Sequence, residues 1–147
     1  MTVKYVIDTC ALVDANQNYS FSKRVFNPIW TRLAELFTSG ELISSSEVLE
    51  EIKDDDLLSW LSPYRKCFLP LSKEVQEQTS MILSAYPDLV KIRTNKPSSN
   101  GDPFLIATAL VTGGVVVTNE KQGIPKVCEH FEVRCIRLKE FVDEVFE

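Results

Sequence analysis

Short apolar runs alternate with segments of helical period along this chain. That alternation restricts its fold more than any other feature. Val3 to Ile7, Leu42-Ile43, Val115 to Val117 and Val133 to Ile136 read as buried strands. Cys67-Phe68-Leu69-Pro70 reads as a third strand or a loop between them. Residues 28–38 (PIWTRLAELFT) carry apolar side chains at helical spacing, and Ser39-Gly40 ends them. Glu47 to Lys53 reads as a helix opened by Ser46, with Glu50 or Glu51 near the capping-box position. Lys73 to Tyr86 reads as a helix that stops before Pro87. Residues 94–101 (TNKPSSNG) are loop by composition. Asp102-Pro103 then marks a helix start, a capping side chain followed by proline. Phe104 to Val111 is apolar almost all round, as a buried helix is, and Gly113-Gly114 closes it. Leu138 to Phe146 reads as a C-terminal helix. Strands alternating with helices predict an α/β fold around a mostly parallel sheet.

Composition narrows the class. A chain of 147 residues, 44% hydrophobic and 25% charged, has the size and balance of one globular domain, so residues 1–147 are read as a single unit. The longest apolar runs are far short of the roughly 20 residues that span a bilayer. Asp8 interrupts the first apolar stretch, so no secretory leader is read, and a cytoplasmic protein is expected. Cysteines at 10, 67, 128 and 135 form no CxxC pair and are expected as reduced thiols. Cys128, His130 and Cys135 could donate to zinc, but no fourth ligand is evident, and they read as packing and surface residues. A net charge of −5 argues against a protein that coats nucleic acid. It leaves open an enzyme that holds phosphates through a cation bound by its own carboxylates.

In parallel α/β sheets the ligand crevice lies outside the carboxyl ends of the strands. Asp8 ends the first strand, and Glu120 lies just beyond Val115 to Val117. Asp102 stands at the mouth of the apolar helix leading into that strand, the only acid between Asp88 and Glu120. In the helix after the second strand, Val48, Leu49 and Ile52 set the apolar face, and Glu51 falls nearest its edge. Two like charges about 4 Å apart cost on the order of 4 kcal/mol at an effective dielectric of 20. Asp8, Glu51, Asp102 and Glu120 could therefore converge only with protons or a cation among them. Oxygen donors without histidine or thiolate select Mg²⁺ or Mn²⁺, which suits phosphoryl chemistry. Each acid also has a plain reading: caps for Asp8 and Asp102, solvated surface for Glu51 and Glu120. Asp54-Asp55-Asp56 reads as a solvated helix end.

Four segments in order resemble the PIN domain, the nuclease fold of VapC-type toxins and RNA-processing enzymes. Ile7-Asp8-Thr9-Cys10-Ala11-Leu12 resembles its opening motif, and Ser45 to Ile52 its second, with the acid at Glu51. Asp102-Pro103-Phe104-Leu105-Ile106-Ala107-Thr108-Ala109 resembles the third, and Val116-Val117-Thr118-Asn119-Glu120-Lys121 the fourth. Trp30 to Leu36 and Leu58-Ser59-Trp60 also resemble one toxin-like branch of that superfamily. Glu120 stands where VapC proteins usually have aspartate, and Cys10 where serine or asparagine is common.

The resemblance implies a three-layer α/β/α PIN-like fold and a metal-dependent endoribonuclease, the toxin of a toxin–antitoxin pair. Asp8, Glu51, Asp102 and Glu120 would hold one or two Mg²⁺ or Mn²⁺ ions and serve as the catalytic acids. Thr9, Thr118 and Asn119 would support them. RNA, tRNA among the candidates, would be the substrate, with a cognate antitoxin covering the acidic pocket and a homodimer as the expected assembly. Lys91, Arg93 and Lys96 before Asp102, and Lys121 after Glu120, are the candidate phosphate contacts, and Lys126 follows them. The rival reading is a catalytically degenerate PIN-like module that binds a protein or RNA partner. A receiver domain would need an acidic cluster after strand one, and a haloacid-dehalogenase phosphatase Asp-x-Asp there; Asp8-Thr9-Cys10 offers neither.

Overall fold

The computed structural model describes residues 2–87, 102–121 and 123–146. Strand β1 (Tyr5–Ile7) leads into helix α1 (Thr9–Asn18). A 3₁₀ turn (Arg24–Phe26) opens α2 (Asn27–Ser39), which Gly40 ends with a left-handed φ of 82°, a conformation glycine adopts without steric cost. Strand β2 (Leu42–Ser45) runs directly into α3 (Ser46–Glu51), then α4 (Asp55–Leu61) and a 3₁₀ stretch (Ser62–Cys67) reach β3 (Phe68–Leu69). Helices α5 (Lys73–Ala85) and α6 (Asp102–Thr112) precede β4 (Val115–Val117). Helix α7 (Gly123–His130), β5 (Cys135–Ile136) and α8 (Leu138–Val145) complete the described chain.

The five strands form one sheet in the order β3-β2-β1-β4-β5, and every pairing is parallel. The architecture is three-layer α/β/α, with the sheet wholly rather than mostly parallel. Chain order reverses at β1, whose neighbours are β2 and β4. Such a switch point opens a crevice at the carboxyl edge of the sheet. The register pairs Ile7 with Val117, so β1 and β4 deliver Asp8 and Thr118 to that edge together.

Burial explains why these short strands hold. Val6, Ile7, Leu42, Val116 and Val117 are buried, as strands covered on both faces must be. Helix α6 supplies Leu105, Ile106, Ala107 and Ala109 to the same core. Gly114 lets α6 turn tightly into β4: a Cβ there would meet Val6 Cγ2 at 2.8 Å and Val3 Cγ1 at 3.2 Å. Ser44, fully buried in β2, satisfies its hydroxyl by donating to the Ile7 carbonyl at 2.5 Å. An aromatic cluster pins α2 to α4, with the Trp30 and Trp60 ring centroids 4.8 Å apart.

Several expectations need correction. Ser45, not Ser46, caps α3, its hydroxyl accepting from the Glu47 amide. The Asp54–Asp56 run opens a helix rather than ending one: Asp54 Oδ1 accepts from the Asp56 and Leu57 amides. Asp102 lies inside the first turn of α6, at the positive end of the helix dipole. No element was read over the residues that form helix α7. Pro125 sits in the first turn, where its missing N–H has no partner to lose. No helix among the described residues is long and apolar enough to cross a membrane.

Candidate active site

Asp8 follows β1 and caps α1, its Oδ1 accepting from the Thr9 amide at 2.8 Å. The cap does not account for the whole group. Its Oδ2 accepts from Thr118 Oγ1 at 2.8 Å and from the Cys10 thiol at 3.0 Å. Thr118 comes from the end of β4, so the two central strands are joined through this one carboxylate. Burial raises the Asp8 pKa, opposed by those three hydrogen bonds. The same burial, with the Asp8 charge beside it, pushes the Cys10 thiol up to about 12.

Glu51 reaches the same edge from α3. Its Oε1 accepts from Thr9 Oγ1 at 3.4 Å. Its Oε2 is buried and has no hydrogen-bond partner among the described residues. Desolvation, then the Asp8 charge, push its carboxyl up to about 8. Glu47, on the neighbouring face, is raised mainly by burial and then by Glu50, which is exposed.

Asp102, 8% exposed, joins from α6. Desolvation pushes it up to about 9, followed by the charges of Asp8, Glu120 and Glu51. Asp102 therefore senses all three other acids. Glu120 is half-buried after β4. Its amide donates to Thr118 Oγ1 at 3.1 Å, and its Oε1 accepts from the Gly123 amide, also at 3.1 Å, at the start of α7. No Lys or Arg among the described residues forms an ion pair with any of the four.

The structure thus brings Asp8, Glu51, Asp102 and Glu120 together, with Thr9 and Thr118 as hydroxyl donors to two of them. Asn119 differs from expectation. Its Nδ2 donates to Asp14 Oδ2 at 2.7 Å, and its Oδ1 accepts from the Leu138 amide at 3.0 Å. Its amide group ties α1 to the start of α8 and supports the acids only through the chain. Asp14 itself went unforeseen, although it is the only acid between Asp8 and Glu35. Lys121 and Lys126 are exposed beyond Glu120. Lys91, Arg93 and Lys96 lie outside the described residues. A groove of about 410 Å³ runs beside Asn119, Arg137 and Lys139, and none of the four acids lines it.

The donor set fits a hard divalent cation. Asp8 raises the proton affinity of Glu51, and all three other acids raise that of Asp102; among the described residues no Lys or Arg pairs with any of them, and one buried oxygen of Glu51 is left with unused lone pairs. Among the described residues, no three His, Cys, Asp or Glu side chains are already closed around a coordination position. Such a cation would therefore draw the carboxylates inward.

Fold and site together define a doubly wound α/β protein with an acidic cluster at its switch point. The chain belongs to the family described as "Domain of unknown function (DUF4411)", whose model matches residues 5–145. Comparison with curated proteins gave no match.

Proposed function

We propose that this protein is a metal-dependent endoribonuclease of PIN type. The observation that carries the reading is Asp102, pushed up to about 9 by burial and by three other carboxylates at one strand edge. Structural acids in a fold are normally paired with Lys or Arg, because an uncompensated buried charge is costly. Four gathered without such a partner among the described residues point to an external cation.

Asp8, Glu51, Asp102 and Glu120 would hold Mg²⁺ or Mn²⁺. Once bound, the ion supplies charge stabilisation for hydrolysis of a phosphodiester. The chain's own groups prepare the site. Thr118 and Cys10 fix one oxygen of Asp8, and the Thr9 amide fixes the other. Thr9 also orients Glu51 so that Oε2 stays unengaged. Gly123 holds Glu120 in reach of Asp102. Lys121, exposed beside Glu120, offers RNA a phosphate contact. The proposal carries with it a cognate antitoxin that covers the acidic pocket, and a homodimer.

The test is cleavage of total RNA and tRNA by protein freed of copurifying partners, in Mg²⁺, Mn²⁺ or EDTA. Asp8→Asn and Asp102→Asn run alongside, with circular dichroism to verify their folds. Cleavage that needs metal and disappears in both folded variants is the expected outcome. Cleavage unchanged in either variant would remove that acid from the site. The rival is a partner-binding module that cuts nothing. Calorimetric titration with Mn²⁺ separates the two. Tight binding lost in Asp102→Asn supports the nuclease; no binding supports the module.

A further inference from the structure

The groove beside Asn119 holds none of the four acids, yet it opens next to them. The register pairs Val117 with Ile136, and the Thr118 amide donates to the Ile136 carbonyl at 3.0 Å. Strands β4 and β5 are parallel, so residues 118–120 and 137–139 leave the carboxyl edge of the sheet side by side. Asn119, the chain neighbour of Thr118 and Glu120, therefore joins the acidic cluster to the groove it lines. Buried Leu138 lines it too, between the exposed side chains of Arg137 and Lys139. The end of α1 adds exposed Asn18 and the half-buried ring of Tyr19, which packs edge-on against Phe26 at 5.6 Å. The groove has the opposite charge character to the cluster. Arg137 Nη2 donates to the Asn119 carbonyl at 3.4 Å, which steadies the guanidinium and leaves its further N–H donors available. Glu140 is the one acid among the described lining residues, and its Oε1 accepts from the Arg137 amide at 3.2 Å. Neither Arg137 nor Lys139 forms an ion pair among the described residues.

We infer that this groove binds one nucleotide of single-stranded RNA beside the acidic cluster, with Arg137 and Lys139 on the phosphates at its two ends and Tyr19 against its base. The inference rests on the reading of the protein as an RNA nuclease and says where its substrate lies. A chain of net charge −5 repels a polyanion as a whole, so a strand approaching four acids needs cations fixed close by. Arg137 presents a planar fork that matches two phosphate oxygens, and Lys139 acts as a point charge. The groove volume of about 410 Å³ falls in the range of pockets that enclose a small molecule, so it takes one unstacked nucleotide and not a helix. An aromatic ring beside paired cations is the combination that holds single strands: bases stack on the ring while the backbone follows the charge. The Asn18 amide, exposed at the rim, offers a donor and an acceptor to the edge of a base.

The test is fluorescence anisotropy of the full chain with a short labelled oligouridylate, in EDTA so that binding is read without cleavage. Salt is varied, and the double variant Arg137→Ala with Lys139→Ala is compared with the parent. Loss of two phosphate contacts should make the slope of log affinity against log salt shallower by about 1.4, at about 0.7 per contact in a single strand. At about 50 mM salt the affinity should fall at least about tenfold. Tyr19→Leu should weaken binding and leave the salt slope unchanged, and Tyr19→Phe should restore it. Lys139→Glu, a change at an exposed side chain, serves if the double variant does not fold. Mn²⁺ titration of the double variant should match the parent, since neither cation touches the acids. An unchanged salt slope, equal binding of duplex RNA, or no binding of the oligouridylate by the parent overturns the proposal. Cleavage that persists in the double variant with parental RNA affinity removes the groove and keeps the nuclease. RNA held through Arg137 and Lys139 but left uncut in Mn²⁺ keeps the groove and removes the nuclease.

Discussion

Asp102 makes the pH behaviour of the protein calculable in sign. A carboxyl raised from 3.8 to about 9 keeps its proton in the folded state across a range where the unfolded chain has lost it. The folded state then binds more protons than the unfolded state, so stability falls as pH rises from about 4 to 9. Glu51, raised to about 8, acts in the same direction. In EDTA, the melting temperature is expected to drop steadily between pH 5 and pH 9. Asp102→Asn removes the largest contribution. It should stabilise the protein at pH 9 in EDTA by at least about 1.4 kcal/mol, the worth of a single tenfold change in proton affinity. Chemical denaturation of both proteins at the two pH values checks this. A variant less stable than the parent at pH 9 would mean that the repulsion at Asp102 is already relieved. The same substitution is thus expected to strengthen the fold and abolish the proposed reaction.

At the scale of elements, the junctions set the site. Asn119 supplies an oxygen to the first amide of α8 and a donor to Asp14. Asn119→Ala removes a cap and strands a carboxylate, at an expected cost of about 1–2 kcal/mol in urea denaturation. Gly123 offers a cleaner probe. A Cβ there would meet Glu120 Oε1 at 2.5 Å, the mobile end of a side chain rather than backbone. Gly123→Ala should therefore keep the fold, displace Glu120 and weaken Mn²⁺ binding in calorimetry. Equal affinity in the variant would separate Glu120 from the cation. These junctions also mark what the sequence could reveal. Asp8, Glu51, Asp102 and Glu120 were legible because strand ends and a helix face follow from local periodicity. The partners of Asn119 were not, because residue 138 reaches it only through the tertiary fold. Ser45 was passed over for its neighbour because two adjacent serines offer the same chemistry. Helix α7 went unread, although Ile124, Val127 and Cys128 carry an apolar helical spacing that could have found it.

For the whole molecule, cation binding and folding should be linked. A ligand that binds only the folded state, at a hundred times its dissociation constant, adds about 2.7 kcal/mol of stability. Saturating Mn²⁺ is accordingly expected to raise the melting temperature above its EDTA value in the parent, and to leave Asp102→Asn unmoved. A parent that melts identically in both would remove the cation from the fold's energetics. The order of the strands carries a further consequence. β1 is made first, yet one of its two partners is β4, and Asp8 waits for Thr118 and Glu120 more than a hundred positions later. During synthesis, a nascent chain that has not yet released β4 from the ribosome can hold Asp8, Glu51 and Asp102 but lacks Thr118 and Glu120. A product truncated before β4 would lack Thr118 and Glu120, and with them the completed cluster.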